Sequence, residues 1–332
     1  MTAQLLENVI QRVRQDDIGK VDFNVNSQDL LVTNNGRLHF YAPNDEMQVL
    51  NFNDHALGQM STRLGIPTRY ARKCMENEPR LYASHANHWL NQEEQRDKGL
   101  FLRTRGDELR AVLSDRYATL DNHYVTEILE QVLGGYAQVD VKGFNLDPRY
   151  FNLRLVFSDM NVNLGTSMKK DDVMVGLQIT NSEVGSSSLR VDSCLFRLVC
   201  TNGLISRIGG QPLLAQRHSN VSDTEMQNRV GKSIVEAVSL GDIAIDKFAK
   251  LKEVKVSNAI SEIKELAKKQ KYSERATDIL VDSYSIEKLI TGEESAYEVV
   301  NAFTRMAQQT QTYDRRLEIE TFAGSLMDSY LK

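Results

Sequence analysis

From residue 213 to the C-terminus the chain contains no proline, and only Pro212 interrupts the stretch after Pro148. Proline in a helix interior removes a hydrogen bond and collides with the preceding turn, so its absence permits long unbroken helices. The apolar spacing after Asp223 fits such helices. Met226, Val230, Ile234 and Val238 fall on one helical face, and Ile260, Ile263 and Ala267 on another. Ser222-x-x-Glu225 and Thr291-x-x-Glu294 have the form of capping boxes, in which each side chain would satisfy the other residue's backbone N–H. Residues 222–332 therefore read as an all-helical region. Its apolar stripe exceeds what one helix pair needs, which predicts a homo-oligomer interface.

Upstream the period drops to two. Phe101–Arg105 and Glu108–Leu113 flank Gly106-Asp107 and predict a hairpin. Asp121 or Asn122 caps a helix holding Val125, Ile128, Leu129 and Val132, ended by Gly134-Gly135. Strands are expected at about Tyr136–Val141, Tyr150–Phe157, Val173–Thr180 and Leu189–Thr201, with polar Asn161–Asp172 as a mobile loop. Residues 101–221 thus form a β-rich core closed by Gly209-Gly210-Gln211-Pro212.

The first hundred residues are mixed. Leu5, Leu6, Val9, Ile10 and Val13 make one stripe of a short helix. Asn34-Asn35-Gly36 joins two strands, and Met47–Phe52 reads as a third. Asn53 or Asp54 caps a helix that Gly65 breaks, Pro67 opens a second, and Leu81–Leu90 reads as another. The fold class is α+β: a central antiparallel β-rich domain with a mixed helical N-terminal region and a long all-helical C-terminal region.

Composition narrows the function. Hydrophobic residues are 41% and charged residues 26%, which rules out wholesale disorder. A net charge of −5 excludes a globally basic coat but not a local basic groove. No apolar run reaches the roughly 18 residues of a membrane span, and MTAQLLENVIQRVRQDD is too polar for a signal peptide, so the expectation is a cytoplasmic protein with no membrane contact. Cys74, Cys194 and Cys200 are too few for a disulfide scaffold and suit a reducing compartment. In residues 101–220 ten of thirteen basic residues are Arg; after residue 220 eleven of sixteen are Lys. Arg offers a rigid fork for phosphate or carboxylate, so ligand contact belongs to the middle segment unless those arginines pair with its equal number of acids.

Several short patterns have ordinary explanations beside them. Leu57–Lys73 has helix-turn-helix spacing, with Arg69, Arg72 and Lys73 set to meet phosphates, yet an αα-hairpin has the same spacing. His85-x-x-His88 supplies too few ligands for a metal site. Gly231-Lys232-Ser233 lacks the first glycine of a phosphate loop, because Met226 stands there. Arg105-Gly106-Asp107 is explained by a hairpin turn. With no catalytic triad, dinucleotide fingerprint or metal set, no cofactor and no metal are expected.

Three polar clusters sit where scaffold passes into loop. They are Ser114-Asp115-Arg116-Tyr117 with Asp121-Asn122, then Thr180-Asn181-Ser182-Glu183-Val184-Gly185, then Arg197-x-x-Cys200-Thr201-Asn202-Gly203. The candidate ligand-binding residues are Arg103, Arg105, Arg116, Tyr117, Asn181, Arg190, Arg197 and Asn202, and the candidate catalytic carboxylates are Asp115 and Glu183. As turn formers and caps, the same residues could serve only their own loops.

In this order, Leu109–Tyr117, Asn181–Gly185 and Phe196–Gly203 resemble the phage- and plasmid-associated domain-of-unknown-function family nine-three-two. The resemblance extends to Leu64-Gly65-Ile66-Pro67 and Asn301-Ala302-Phe303-Thr304, over about residues 55–325. It implies a gene of phages or mobile elements and a setting in the bacterial cytoplasm, and it assigns no residue a role.

Three functions compete. The first is a non-enzymatic DNA-transaction protein that binds or anneals single strands. Its groove would use Arg103, Arg105, Arg110, Arg116, Arg149, Arg154, Arg190 and Arg197 with Tyr117, Phe144, Tyr150, Phe151 and Phe196. The second is an enzyme on a nucleotide or nucleic acid, with Asp115, Arg116, Asn181, Glu183, Arg197 and Asn202 in one metal-free pocket. The third is an anti-defence protein docking on a host protein.

Overall fold

A computed structural model describes residues 2–135, 138–165, 170–198, 202–206, 211–218 and 221–332. The chain opens on α1 (Thr2–Asp17) and then builds two sheets in succession. The first comprises β1 (Lys20–Asn26), β2 (Leu31–Val32), β3 (Arg37–Tyr41), β4 (Met47–Phe52), β5 (Gly99–Arg105) and β6 (Glu108–Ser114), in the order β1-β5-β6-β4-β3-β2. Tight turns make its hairpins antiparallel. Gly36 and Gly106 take positive φ there, which costs glycine nothing. β4 and β6 are parallel, because a long, largely helical connection leads from β4 to β5 and the Gly106 hairpin then returns β6 alongside β4. That connection holds α2 (Asp54–Arg63), α3 (Thr68–Asn77), α4 (Pro79–Leu90) and short α5 (Glu93–Arg96). Asn53 caps α2 by accepting from the Ala56 N–H at 2.8 Å. Met60, Tyr82 and Leu90 meet Leu38, Leu50 and Leu102 in the first core.

One irregularity in β6 decides what its outer face presents. Arg103 pairs with Ala111 but Thr104 pairs with Leu109, so Arg110 is an inserted residue. Such a bulge shifts the two-residue alternation of a strand. Leu109 and Val112 accordingly both enter the first core, while Ala111 and Leu113 pack with Phe101 and Val184 on the opposite side.

After α6 (Asn122–Leu133) comes the second sheet, built from β7 (Val139–Leu146), β8 (Phe151–Asn163), β9 (Asp172–Asn181), β10 (Leu189–Arg197) and β11 (Asn202–Ser206) in antiparallel meander order. β12 (Leu214–Gln216) pairs with the start of β10. Alternation puts Leu153, Leu155, Val175, Leu177, Ile179 and Val191 into the main core. The expected loop over Asn161–Asp172 is instead partly strand, because Asn161–Asn163 pair with Asp172–Met174; their polar composition reflects exposure. The strand expected over Leu189–Thr201 ends at Arg197, and Val199–Thr201 lie outside the described residues, as do Tyr136 and Gly209-Gly210.

The rest is helical: α7 (Asp223–Lys250), α8 (Ala259–Lys269), α9 (Glu274–Thr291), α10 (Ala296–Gln308) and α11 (Tyr313–Tyr330). Ser222 caps α7 as expected. The second expected box is corrected. α9 runs through Thr291, and the capping box that opens α10 is Ser295 with Glu298. Glu294 instead pairs with Lys288. α7 lies directly on β9, where a Cβ on Gly241 would come within 2.6 Å of Val175. α11 reaches the other face: Glu320 pairs with buried Arg154, and the Tyr313 hydroxyl donates to Gln178 at 3.2 Å. α1 packs on β7 and α6, so the start of the chain belongs to the second sheet. Among the described residues no helix is long and apolar enough to cross a membrane.

Removing one partner of a buried ion pair leaves an uncompensated charge, whereas removing both does not. Glu320→Leu should therefore destabilise the protein by roughly 3–5 kcal/mol in urea unfolding, and adding Arg154→Met should recover most of the loss.

Candidate functional site

The two sheets meet at the β9–β10 turn. Val184, at its tip, is 1% exposed and packs on Phe101, Ala111 and Leu113 of the first sheet. The turn is clamped from above by α2: the His55 Nε2–H and the Gln59 amide both donate to the Val184 carbonyl at 2.9 Å, and the Gln59 carbonyl accepts from the Val112 N–H at 2.8 Å. The His55 pKa is lowered by burial, which suits a neutral ring donating through Nε2.

Beneath the turn lies a closed ionic cluster. Glu183 accepts from Lys20 Nζ and Arg110 Nη2 at 2.7 Å each, and from the Asn122 N–H at the start of α6 at 3.0 Å. Arg103 pairs with Asp22, directly opposite on β1, and with Asp121 at 2.6 Å, and also donates to the Glu183 carbonyl. Asp121 stands at the expected cap position of α6, but its carboxylate makes no capping bond. Burial alone would raise the Glu183 pKa; Lys20 and Arg110 overcome that and hold it down to about 2.

Above this cluster an open cleft of about 1140 Å³ separates the α2–α3 layer from the loops of the second sheet. Thr62, Arg63 and Arg72 line one wall, and Arg149, Gly185 and Arg217 the other. Tyr117 and His218 share its lining and stack at 4.9 Å, with Phe101 behind Tyr117 at 6.0 Å. Burial beside Arg103 lowers the His218 pKa to about 4, so this ring is neutral at pH 7. The lining carboxylates are engaged: Asp54 by Arg72, Glu108 by Asn53, and Asp147 by the Arg149 and Tyr150 backbones. Arg63 and Arg149 have no carboxylate within ion-pair distance among the described residues, and the Arg63 Nε lacks any hydrogen-bond partner.

The structure gathers some expected site residues and separates others. Arg103, Tyr117, Asn181 and Glu183 come together at the junction; Asn181 donates to the Leu120 carbonyl and to Asn122. Arg105 pairs with Asp16, and Arg116 is exposed. Arg190 lies near Asp192, lining a different cavity beside α11. Arg197 sits at the opposite end of β10, paired with Asp171 and Glu287 and covered by Tyr297; eight residues of β9 put it about 26 Å from Asn181. The Asn202 backbone begins β11, and its side chain lies outside what the structure describes. Asp115 is exposed beside Gly99, lining neither the cleft nor the cavity that Glu183 lines.

The groove expected along the sheet is corrected by this placement. Arg103, Arg110, Arg154 and Arg197 are buried in ion pairs, and Phe151 and Phe196 are core. Bare guanidinium groups in an apolar layer would be prohibitive, so each is matched to carboxylates. The cleft draws instead on Arg63, Arg72, Arg149 and Arg217. The helix-turn-helix pattern pointed to the α2–α3 pair, although not to Arg63 as the inward residue. Nothing in the sequence marked Arg217-His218, which face the cleft only because β12 returns to β10. Among the described residues no group of His, Cys, Asp and Glu side chains is set to hold a metal.

These features define a two-sheet α+β protein with an inter-sheet cleft over a buried ionic junction. The family model described as Domain of unknown function (DUF932) matches residues 110–322, from Arg110 to α11, and the chain belongs to that family. No curated protein and no solved structure matches it.

A carboxyl whose folded pKa is depressed stabilises the fold fully above its unfolded pKa and loses that contribution as pH falls through the folded value. Glu183→Gln should cost on the order of 3 kcal/mol at pH 7. In denaturant melts across pH the gap from the parent protein should narrow below about 4.5 and close near 2.

Proposed function

We propose that the cleft binds single-stranded nucleic acid without altering it, as a DNA-transaction protein of a phage or mobile element in the bacterial cytoplasm would. The observation that carries this reading is the lining itself. Arginines stand on both walls; Asp54 is paired with Arg72, Glu108 is held by Asn53 and Asp147 by its own turn, while Arg63 and Arg149 have no carboxylate within ion-pair distance among the described residues. Phosphates are the acceptors such walls attract, and the stacked Tyr117 and His218 rings offer a surface for base faces. A volume of about 1140 Å³ admits a strand of several nucleotides more readily than one small metabolite. Assembly into a homo-oligomer belongs to the same reading and would line up several clefts. Exposed Val235, Ile243, Ile260, Ile286 and Leu289 on α7, α8 and α9 support it.

The test is fluorescence anisotropy with a labelled single strand of about 16 nucleotides, titrated over salt. Affinity should fall with salt at a log–log slope of roughly −0.7 per phosphate contacted. Combining Arg63→Ala, Arg149→Ala and Arg217→Ala should weaken binding at least tenfold and flatten the slope by roughly 2. Absence of binding at low salt would sink the reading. Light scattering at micromolar concentration checks the assembly, and a monomeric mass refutes it.

A further inference from the structure

Behind the Asp147-Pro148-Arg149 wall of the cleft lies a second cavity, of about 130 Å³, whose lining also includes Arg12, Arg105, Arg110 and Glu183. It shares Glu108, Asp147, Pro148 and Arg149 with the cleft, so only that wall separates the two spaces. We infer that this cavity receives the terminal phosphate of a nucleic-acid strand lying in the cleft, an inference that rests on the reading above.

The argument begins with unused donors. Arg110 is 8% exposed; its Nη2 is spent on Glu183, but its Nη1 has no hydrogen-bond partner. A buried guanidinium N–H without an acceptor is costly, and a native fold seldom leaves one empty without reason. Arg12 is exposed at the rim and makes no ion pair among the described residues. Arg105 uses Nη1 on Asp16, and Arg149 bonds only Ser186 and Tyr150 through its side chain. The acceptors, by contrast, are taken. Asp16 is engaged by Lys20 and Arg105, Glu108 by Asn53, Asp147 by its own turn, and Glu183 by Lys20, Arg110 and Asn122. A cavity with donors to spare and its carboxylates engaged selects a ligand that only accepts.

Size and charge narrow the class. At about 130 Å³ the space is close to the roughly 150 Å³ known to hold a benzene ring, enough for one tetrahedral oxyanion and too small for a whole nucleotide. Guanidinium forks suit phosphate oxygens in paired geometry, and a terminal phosphate monoester carries more charge than an internal diester. The start of α6, whose Asn122 lines the cavity, adds the positive end of a helix. The α6 end already serves Glu183; the unpartnered Arg110 nitrogen is the observation that asks for an additional acceptor.

The β6 bulge explains how Arg110 comes to be there. As the inserted residue it shares the outward face with Ala111, and Glu183 fixes one edge of its fork.

The test compares labelled single strands of identical sequence carrying a 5′-phosphate, a 3′-phosphate or neither, bound to the full chain and to Arg12→Ala. Arg12 is exposed and makes no hydrogen bond or ion pair among the described residues, so this variant should keep the fold. One phosphorylated end should bind at least tenfold tighter than the bare strand, and Arg12→Ala should abolish that preference while binding the bare strand as before. Arg110→Met should do the same where it folds. Equal affinity for all three strands overturns the terminal-phosphate site and leaves the cleft reading intact. If no strand binds, calorimetry with inorganic phosphate decides: binding lost in Arg12→Ala upholds the anion cavity, and no heat overturns it.

Discussion

The structure depends on one buried carboxylate. Glu183 lies between a β-turn of the second sheet, two strands of the first and the start of a helix, and its acceptors meet Lys20, Arg110 and Asn122. An ion at that depth is stable only where its solvation is replaced by fixed donors, and those donors come from three separate parts of the chain, β1, β6 and the start of α6. The position of one sheet against the other is therefore set by charge satisfaction as well as by apolar contact. The apolar share is small, since only Phe101, Ala111, Leu113, Tyr117 and Val184 make up the cluster between them.

This division of labour leaves the cleft open above the junction. Close approach is confined to the turn, where Gly185 takes a positive φ and a Cβ would meet Leu113 at 2.7 Å. Beyond it the walls diverge, and their arginines face solvent instead of each other's carboxylates. The same residue type thus has two fates. Arginines of the sheet interiors, such as Arg154 against Glu320, are structural, whereas Arg63 and Arg149 on the cleft walls have no carboxylate within ion-pair distance among the described residues. Arg110 belongs to both groups, with one nitrogen in the junction and the other without a partner. A strand in the cleft would lie against a rigid floor, and the smaller cavity behind the 147–149 turn would read its end.

Much of the fold was legible in the sequence because it is local. The hairpin at Gly106, the Asn53 cap, the break at Gly65 and the helical region after Ser222 each follow from a few neighbouring residues. Errors fell where local signals compete. Thr291 and Glu294 imitate a capping box that Ser295 and Glu298 actually form, and polar Asn161–Asn163 read as loop because a strand exposed to solvent lacks apolar alternation. The site was half legible. Tyr117, Asn181 and Glu183 were marked by their clustering, but Arg63, Arg217 and His218 carried no pattern that set them apart.

The sequence by itself determined the class of fold, the family and the inventory of charged groups, because periodicity, capping and motif order are properties of short segments. Only the tertiary structure decided which arginines are saturated and which are available. That depends on the distance from each guanidinium to carboxylates as much as 166 positions away, as between Arg154 and Glu320, and on a single inserted residue in β6 that turns Arg110 toward Glu183. No local pattern encodes such distances, because they exist only once the two sheets have closed on each other.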